Sequence, residues 1–295
     1  MLYKTKVAMV TGEFLPHIGG VEIHIAEVCS ILKDTVDLTV VCAAQGDVDL
    51  PYKVIRDYNT DLNQFDIVHF HDFSHYRDVK VPSYITFHGY EGHVPPAHDA
   101  GIMRREICKR VSGTIHIGNY LRKWYGTGHH NDITILGGCD LRIDPEPRTR
   151  TWKIGYIGRI SEDKRTDLYE KAMPIIQNTF TKEAVLEIAS SLPHDKVKDF
   201  WADKDIAFCN GQLSMLEAMS SGVPVIALAS NAMVADMLKD MNCPIADNEH
   251  SIASIFTSMR DPELYERTRQ KQYQFSQQHS WQNAANKYLE LWRLR

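Results

Sequence analysis

Residues 208–228, FCNGQLSMLEAMSSGVPVIAL, decide how this chain reads. Asn210-Gly211 open a helix, Ser221-Gly222 close it, and Pro224 leads into a buried strand. The first backbone N–H groups of a helix have no partner inside it, and here they belong to Gln212, Leu213 and Ser214. A carboxylate, Glu217, follows a turn or two behind. It stands among Met215, Leu216, Ala218 and Met219, where an unpaired carboxylate is costly. The arrangement suits a diphosphate joined to a ribose, with amides on the phosphate oxygens and the carboxylate on the ribose hydroxyls. Taken alone, a helical glutamate is more often a surface residue.

The chain has 295 residues, room for two domains of roughly 150. Mean hydropathy is -0.32, and no run approaches the roughly 20 apolar residues that span a bilayer. The N-terminal MLYKTKVAMVTGEF lacks a small-residue cleavage site and reads as a first strand rather than a secretory leader. Six cysteines are scattered without a close pair, the usage of a reduced protein, so the expected location is the cytoplasm. A net charge of -5 gives no general attraction to nucleic acid, which is disfavoured as a partner without being ruled out.

Apolar, β-branched runs recur at 6–11, 37–43, 66–70, 83–87, 113–117 and 132–136, with helical patterns such as 22–32 between them. A second series follows at 153–158, 185–189, 205–209 and 223–228. Strands alternating with helices predict open parallel α/β sheets. Residues 141–152, LRIDPEPRTRTW, carry two prolines and five charges and read as a linker. The expected domains are therefore 1–144 and 145–280. A last helix over 281–295 presents Trp281, Ala285, Tyr288 and Trp292 on one face, which needs a partner surface.

Four further groups stand out. In GYIGRISEDK, a strand ends at Gly158 and the cations Arg159 and Lys164 follow on a loop entering a helix. The ends of strands are where open α/β sheets bind ligands. An arginine fork and a lysine point charge there can neutralise a departing diphosphate, although a solvated charged turn has the same composition. Gly19-Gly20, in FLPHIGGVE, lie between the first strand and first helix, where glycine lets backbone approach a ligand or simply makes a tight turn. His69 and His71 share a strand face and could ligate zinc, but no third and fourth ligands follow at a recognisable spacing, so no metal is assigned. The basic residues Arg104, Arg105, Lys109, Arg110, Arg122 and Lys123 could meet an anionic acceptor or, as a peripheral contact, a phospholipid surface. A solvated helix face is the simpler reading.

These words resemble retaining GT-B glycosyltransferases of the large family-4 type. LEAMSSGVPVIA and GRISEDK carry the resemblance most strongly, and GGVE and TFHG support it. It implies two Rossmann-like doubly wound parallel-sheet domains facing across a cleft, with the last helix crossing back to the first domain. It also implies transfer of a sugar, with retention and without an essential metal or other cofactor, from a UDP- or GDP-sugar to a saccharide, lipid-linked or other acceptor. Arg159 and Lys164 would hold the diphosphate, with Gly19, Gly20, Gly158, Gln212, Leu213 and Ser214 lining the donor. Glu217 would take the ribose, and His88 would orient the sugar at the reacting centre.

The chain departs from the family in four places. Cys209 stands where a second glutamate approaches the sugar, and Arg165 stands where a glycine commonly follows the lysine. Leu136-Gly137-Gly138-Cys139-Asp140 replaces PNGVD, and the glycine-rich piece that helps seat the base is shortened to 190–195. Cysteine cannot offer the charge-assisted hydrogen bonds of glutamate. A nucleotide-sugar epimerase of the same fold and a non-catalytic nucleotide-sugar-binding relic are the rival readings.

Overall fold

The computed structural model describes residues 4–89, 94–142 and 150–294. The expected domain boundary at 144/145 lies outside the described residues. The chain divides into two compact units, Met1–Gly138 with Trp281–Arg295, and Cys139–Ser280.

The first unit is built on seven strands: β1 (Lys6–Thr11), β2 (Asp37–Cys42), β3 (Lys53–Ile55), β4 (Ile67–His71), β5 (Ser83–Phe87), β6 (Gly113–His116) and β7 (Asp132–Thr134). They form one parallel sheet in the order β3-β2-β1-β4-β5-β6-β7. Every residue of β4 and β5 is buried, including the polar His69, His71, Ser83 and Thr86, as expected of central parallel strands covered on both faces. Helices α1 (Gly20–Leu32), α2 (His98–Cys108) and α3 (Asn119–Tyr125) belong to this unit.

The second unit holds β8 (Lys153–Ile157), α4 (Asp167–Thr179), β9 (Val185–Ala189), α5 (Val197–Trp201), β10 (Ile206–Cys209) and α6 (Gln212–Ser220). Then come β11 (Val225–Leu228), α7 (Ala232–Leu238), β12 (Ile245–Ala246), α8 (Glu249–Ser258) and α9 (Pro262–Gln277). Its parallel sheet has the order β12-β11-β10-β8-β9. Tyr156, Tyr169, Phe208 and Phe256 fill the core between this sheet and α4 and α8. On the other side α9 is tied to β11 through Gln272, whose amide accepts from Val225 N at 2.6 Å and donates to Val225 O at 3.1 Å.

Both strand orders reverse direction beside the first strand of the unit, between β1 and β4 and between β8 and β10. Loops diverge at such a point and leave a crevice at the carboxyl ends of the strands. The chain then returns to the first unit as α10 (Trp281–Trp292), which packs on α1. Trp281, Ala285, Tyr288 and Trp292 are buried there. A side chain at Gly138 would strike the Trp281 indole at 2.3 Å, so the turn at 136–140 keeps glycine where the packing leaves no room.

The basic run is a solvated face at Lys109, Arg110 and Lys123, which are exposed, but not at Arg104. Arg104 is 1% exposed, with its guanidinium 4.1 Å from the centre of the Tyr125 ring and a 2.8 Å hydrogen bond from Nη2 to Gly89 O. Arg122 forks onto Asp132, Lys109 pairs with Glu106, and Arg110 lies 3.4 Å from Asp78. At Arg104, aromatic faces and a backbone carbonyl absorb a charge that the sequence assigns to water. Among the described residues no helix is long and apolar enough to cross a membrane.

Candidate active site

Two groups of the singled-out residues lie at the two switch points, each within its own unit. In the second unit, β8 and β10 pair side by side, and their carboxyl ends carry the two best-matched words. Gly158 follows β8 with φ of 151°, in the region that favours glycine, and an added side chain would meet the Tyr156 hydroxyl at 2.9 Å. That hydroxyl donates to Arg159 O at 3.0 Å and pins the loop. A short 3-10 turn, Glu162–Lys164, then presents Lys164. Asn210, the residue after β10, donates its amide to Lys164 O at 2.6 Å and ties the cation loop to the start of α6. Burial lowers the Lys164 pKa, opposed by Asp163 at 3.7 Å and reinforced by the like charge of Arg159.

The residue after Lys164 explains why glycine suits that place. Arg165 sits at φ 49°, ψ 39°, in the left-handed region that costs a side-chain-bearing residue roughly 1–2 kcal/mol. We expect Arg165→Gly to leave stability unchanged or raise it by up to about 1 kcal/mol, strain relief being offset by the greater freedom of unfolded glycine. Urea unfolding of the variant is the check. A loss beyond that range would show that the 3.6 Å Arg165–Asp167 contact outweighs the backbone.

No side chain caps α6. Within this helix only Leu213, Ser214 and Glu217 escape full burial, and their i, i+3/i+4 spacing makes them one stripe. Gln212 is buried and turned to the Met241 sulfur at 3.9 Å, so its amide but not its side chain fits the donor-binding role.

One partner of Glu217 and one cation near it escaped the sequence. His194, from the shortened piece after β9, places Nε2 3.3 Å from Glu217 Oε1. Arg142 donates to Ser221 Oγ, one turn further along the stripe. Burial lowers the Arg142 pKa, and the Glu217 carboxylate heads the charges that oppose this. Only the odd length of the 190–195 piece hinted at His194, and nothing pointed to Arg142.

Cys209 closes β10 and is wholly buried, its thiol held by the Ser214 hydroxyl and pushed far up by burial. It therefore contributes no charge at the strand end.

In the first unit, Gly19 precedes α1 and Gly20 opens it. A side chain at Gly19 would strike Glu22 Oε2 at 2.4 Å, because the Glu22 carboxylate folds back over this turn, and burial raises its pKa. His71 ends β4 and His88 follows β5. Their rings share a 2.8 Å hydrogen bond between His71 Nδ1 and His88 Nε2, and the His24 ring stands edge-on to His88 at 5.0 Å. Burial lowers the pKa of His24 to about 4 and of His69 to about 3, and holds His71 and His88 well below the usual range. All four rings are thus neutral near pH 7.

Polar contacts at His69 run in one direction. The Trp292 indole, a donor only, gives its N–H to His69 Nδ1 at 3.0 Å, so the His69 proton sits on Nε2 and goes to Thr86 Oγ1 at 2.7 Å. Thr86 in turn donates to the Tyr288 oxygen at 3.1 Å, and Tyr288 donates to His24 Nε2 at 2.9 Å. The reverse sense would leave the buried Thr86 hydroxyl without an acceptor. His69 and His71 are therefore hydrogen-bonding groups, and among the described residues no three His, Cys, Asp or Glu are grouped to hold a metal.

No protein-family model matches the sequence, and no curated protein does either. Solved structures do. HepE from Anabaena, in complex with UDP and glucose, superposes with a TM-score of 0.71 at 10% identity over 97% of this chain and 98% of that one. Sucrose-phosphate synthase from Thermosynechococcus elongatus gives a TM-score of 0.71 at 13% identity over 98% of both chains. WaaG, a glycosyltransferase involved in lipopolysaccharide biosynthesis, gives a TM-score of 0.67 at 10% identity over 97% of this chain and 99% of that one. At such identities the likeness speaks for the architecture alone, and that architecture is the GT-B fold.

Proposed function

We propose that the chain is a glycosyltransferase that moves a sugar from a nucleoside-diphosphate sugar to an acceptor, with retention at the anomeric carbon. One observation carries the reading. The cation loop after β8 and the uncapped start of α6 are held together by the Asn210–Lys164 hydrogen bond, and Glu217 lies on the open stripe of the same helix. Two cations and free amides match a diphosphate, and a carboxylate one turn on matches a ribose diol. The UDP-glucose and UDP complexes of HepE support a nucleotide-sugar donor.

In this reading Arg159, Lys164 and the Leu213 and Ser214 amides stabilise the leaving diphosphate as its charge grows, without a metal or a separate cofactor. His88 orients the sugar, and the Gly19-Gly20 backbone lines the donor. The acceptor is a saccharide, lipid-linked or other hydroxyl compound, and the donor base is uracil or guanine. The six cysteines, none of them in a disulfide, fit a cytoplasmic location.

Incubation with a panel of nucleotide-sugars and acceptors tests the proposal. Release of nucleoside diphosphate that depends on acceptor supports transfer, whereas isomer formation without acceptor or binding without turnover overturns it. Glu217→Ala should weaken donor affinity by about 1.5–3 kcal/mol, the scale of hydrogen bonds to a charged group. Titration calorimetry with the preferred nucleoside diphosphate reads this directly, and unchanged affinity would remove Glu217 from the ribose.

A further inference from the structure

The His71–His88 pair contains an asymmetry that sets the direction of its hydrogen bond. His71 is completely buried, and its second nitrogen, Nε2, is sealed from water with no hydrogen-bond partner among the described residues. A neutral imidazole has one N–H and one bare nitrogen. If His88 donated, His71 would carry its proton on Nε2, as a buried N–H with nowhere to go. If His71 donates, the orphan is a bare lone pair. Buried unpaired N–H groups are the rarer of the two in folded proteins. The second arrangement therefore prevails.

The rings sit nearly parallel, 5.0 Å apart with 26° between their planes. His88 is held further by the edge of His24, and the carbonyl of the next residue, Gly89, accepts from the buried Arg104. Little is left for the His88 ring to choose. Its Nε2 is taken by His71, and no described group bonds its Nδ1.

We propose that His71 is a positioning residue for His88: it donates Nδ1–H to His88 Nε2 and so fixes His88 as the Nδ1–H tautomer, which offers a donor to a ligand oxygen. The role of that donor in turnover rests on the reading of His88 as the group that orients the sugar. The tautomer itself does not. A partner atom at this place must be an acceptor, such as a sugar hydroxyl or phosphate oxygen, and a ligand that presents only a donor is rejected.

The test is a long-range proton–nitrogen correlation spectrum of the ¹⁵N-histidine-labelled protein at neutral pH, with the His88 signals assigned by their loss in His88→Gln. The Nδ1–H pattern is expected for His88, and an Nε2–H pattern overturns the proposal. In His71→Phe the His88 ring should move toward the Nε2–H form. In His71→Asn, whose amide can donate from about the place of Nδ1, it should stay as in the parent. Turnover should fall about tenfold in His71→Phe, the effect of one lost hydrogen bond, with KM changed far less, and should recover in His71→Asn. An unmoved kcat in a folded His71→Phe overturns the positioning role. If His71→Phe does not fold, the parent tautomer and His71→Asn decide the matter. Full turnover in His88→Gln would instead sink the reading of His88, and a wrong tautomer in the parent would sink this proposal with that reading intact.

Discussion

Lys164→Ala and Arg159→Ala are each expected to lower turnover by about 10²- to 10³-fold, comparable to deleting one oxyanion donor, while donor binding changes less. The reason lies in where charge appears. A nucleoside diphosphate bound in the ground state already carries negative charge, but the oxygen that leaves the sugar gains more as the bond breaks, so a cation beside it binds the transition state better. Lys164 is suited to this because its charge is held partly out of water, with Asp163 at 3.7 Å as its ion-pair partner among the described residues. Arg159 lies on the exposed side of the same loop. Steady-state kinetics with calorimetric donor affinities separates the two effects. A raised KM at constant kcat would mean that the cations merely hold the donor. Loss of activity in EDTA with recovery in a divalent ion would give the diphosphate to a metal instead.

Acid should destabilise the first unit well before its carboxylates titrate. Unfolded histidines bind protons below pH 6.5, while His24 and His69 in the folded state resist until about 4 and 3, and His71 resists likewise. Because the folded values are depressed, the unfolded state holds more protons throughout that window, and stability falls as pH drops from 6.5. His24 and His69 each remove about 2 kcal/mol by pH 5, on the order of 4 together, and His71 and His88 act in the same sense. His116, also buried, acts in the same sense, whereas Glu22, with its raised pKa, opposes it. Against a total stability of roughly 5–15 kcal/mol the loss is large. Urea titrations at pH 7.5 and 5.0 measure it. Equal midpoints at the two pH values would show that the rings gain protons without unfolding.

The two parallel sheets were legible because central strands such as β1, β10 and β11 are mostly apolar runs, and because glycine, proline and charge mark their ends. β3 and β12 were not. They span three and two residues at sheet edges, and a half-exposed edge needs no hydrophobic signature. At the site, Arg159, Lys164 and Glu217 stood out because each breaks the pattern around it, as a charge at a strand end or within an apolar helix. His194 and Arg142 break no pattern, since a polar residue in a polar loop is unremarked until the fold sets it beside a carboxylate. Arg104 misled for the opposite reason. Its neighbours in sequence are charged and its neighbours in space are Phe73, Phe87 and Tyr125, which no local window contains.

The return of α10 to the first unit has a consequence for synthesis. A ribosome makes β1 to β7 first, then the whole second unit, and only then Trp281–Trp292. Until that moment His69 lacks the indole that sets its proton, Thr86 and His24 lack the Tyr288 hydroxyl, and the α1 face that meets α10 stays wet. Domains made first usually fold first. Here the earlier half of the chain must wait for the last helix before its buried polar groups are satisfied, so the second unit can close while the first is still unfinished.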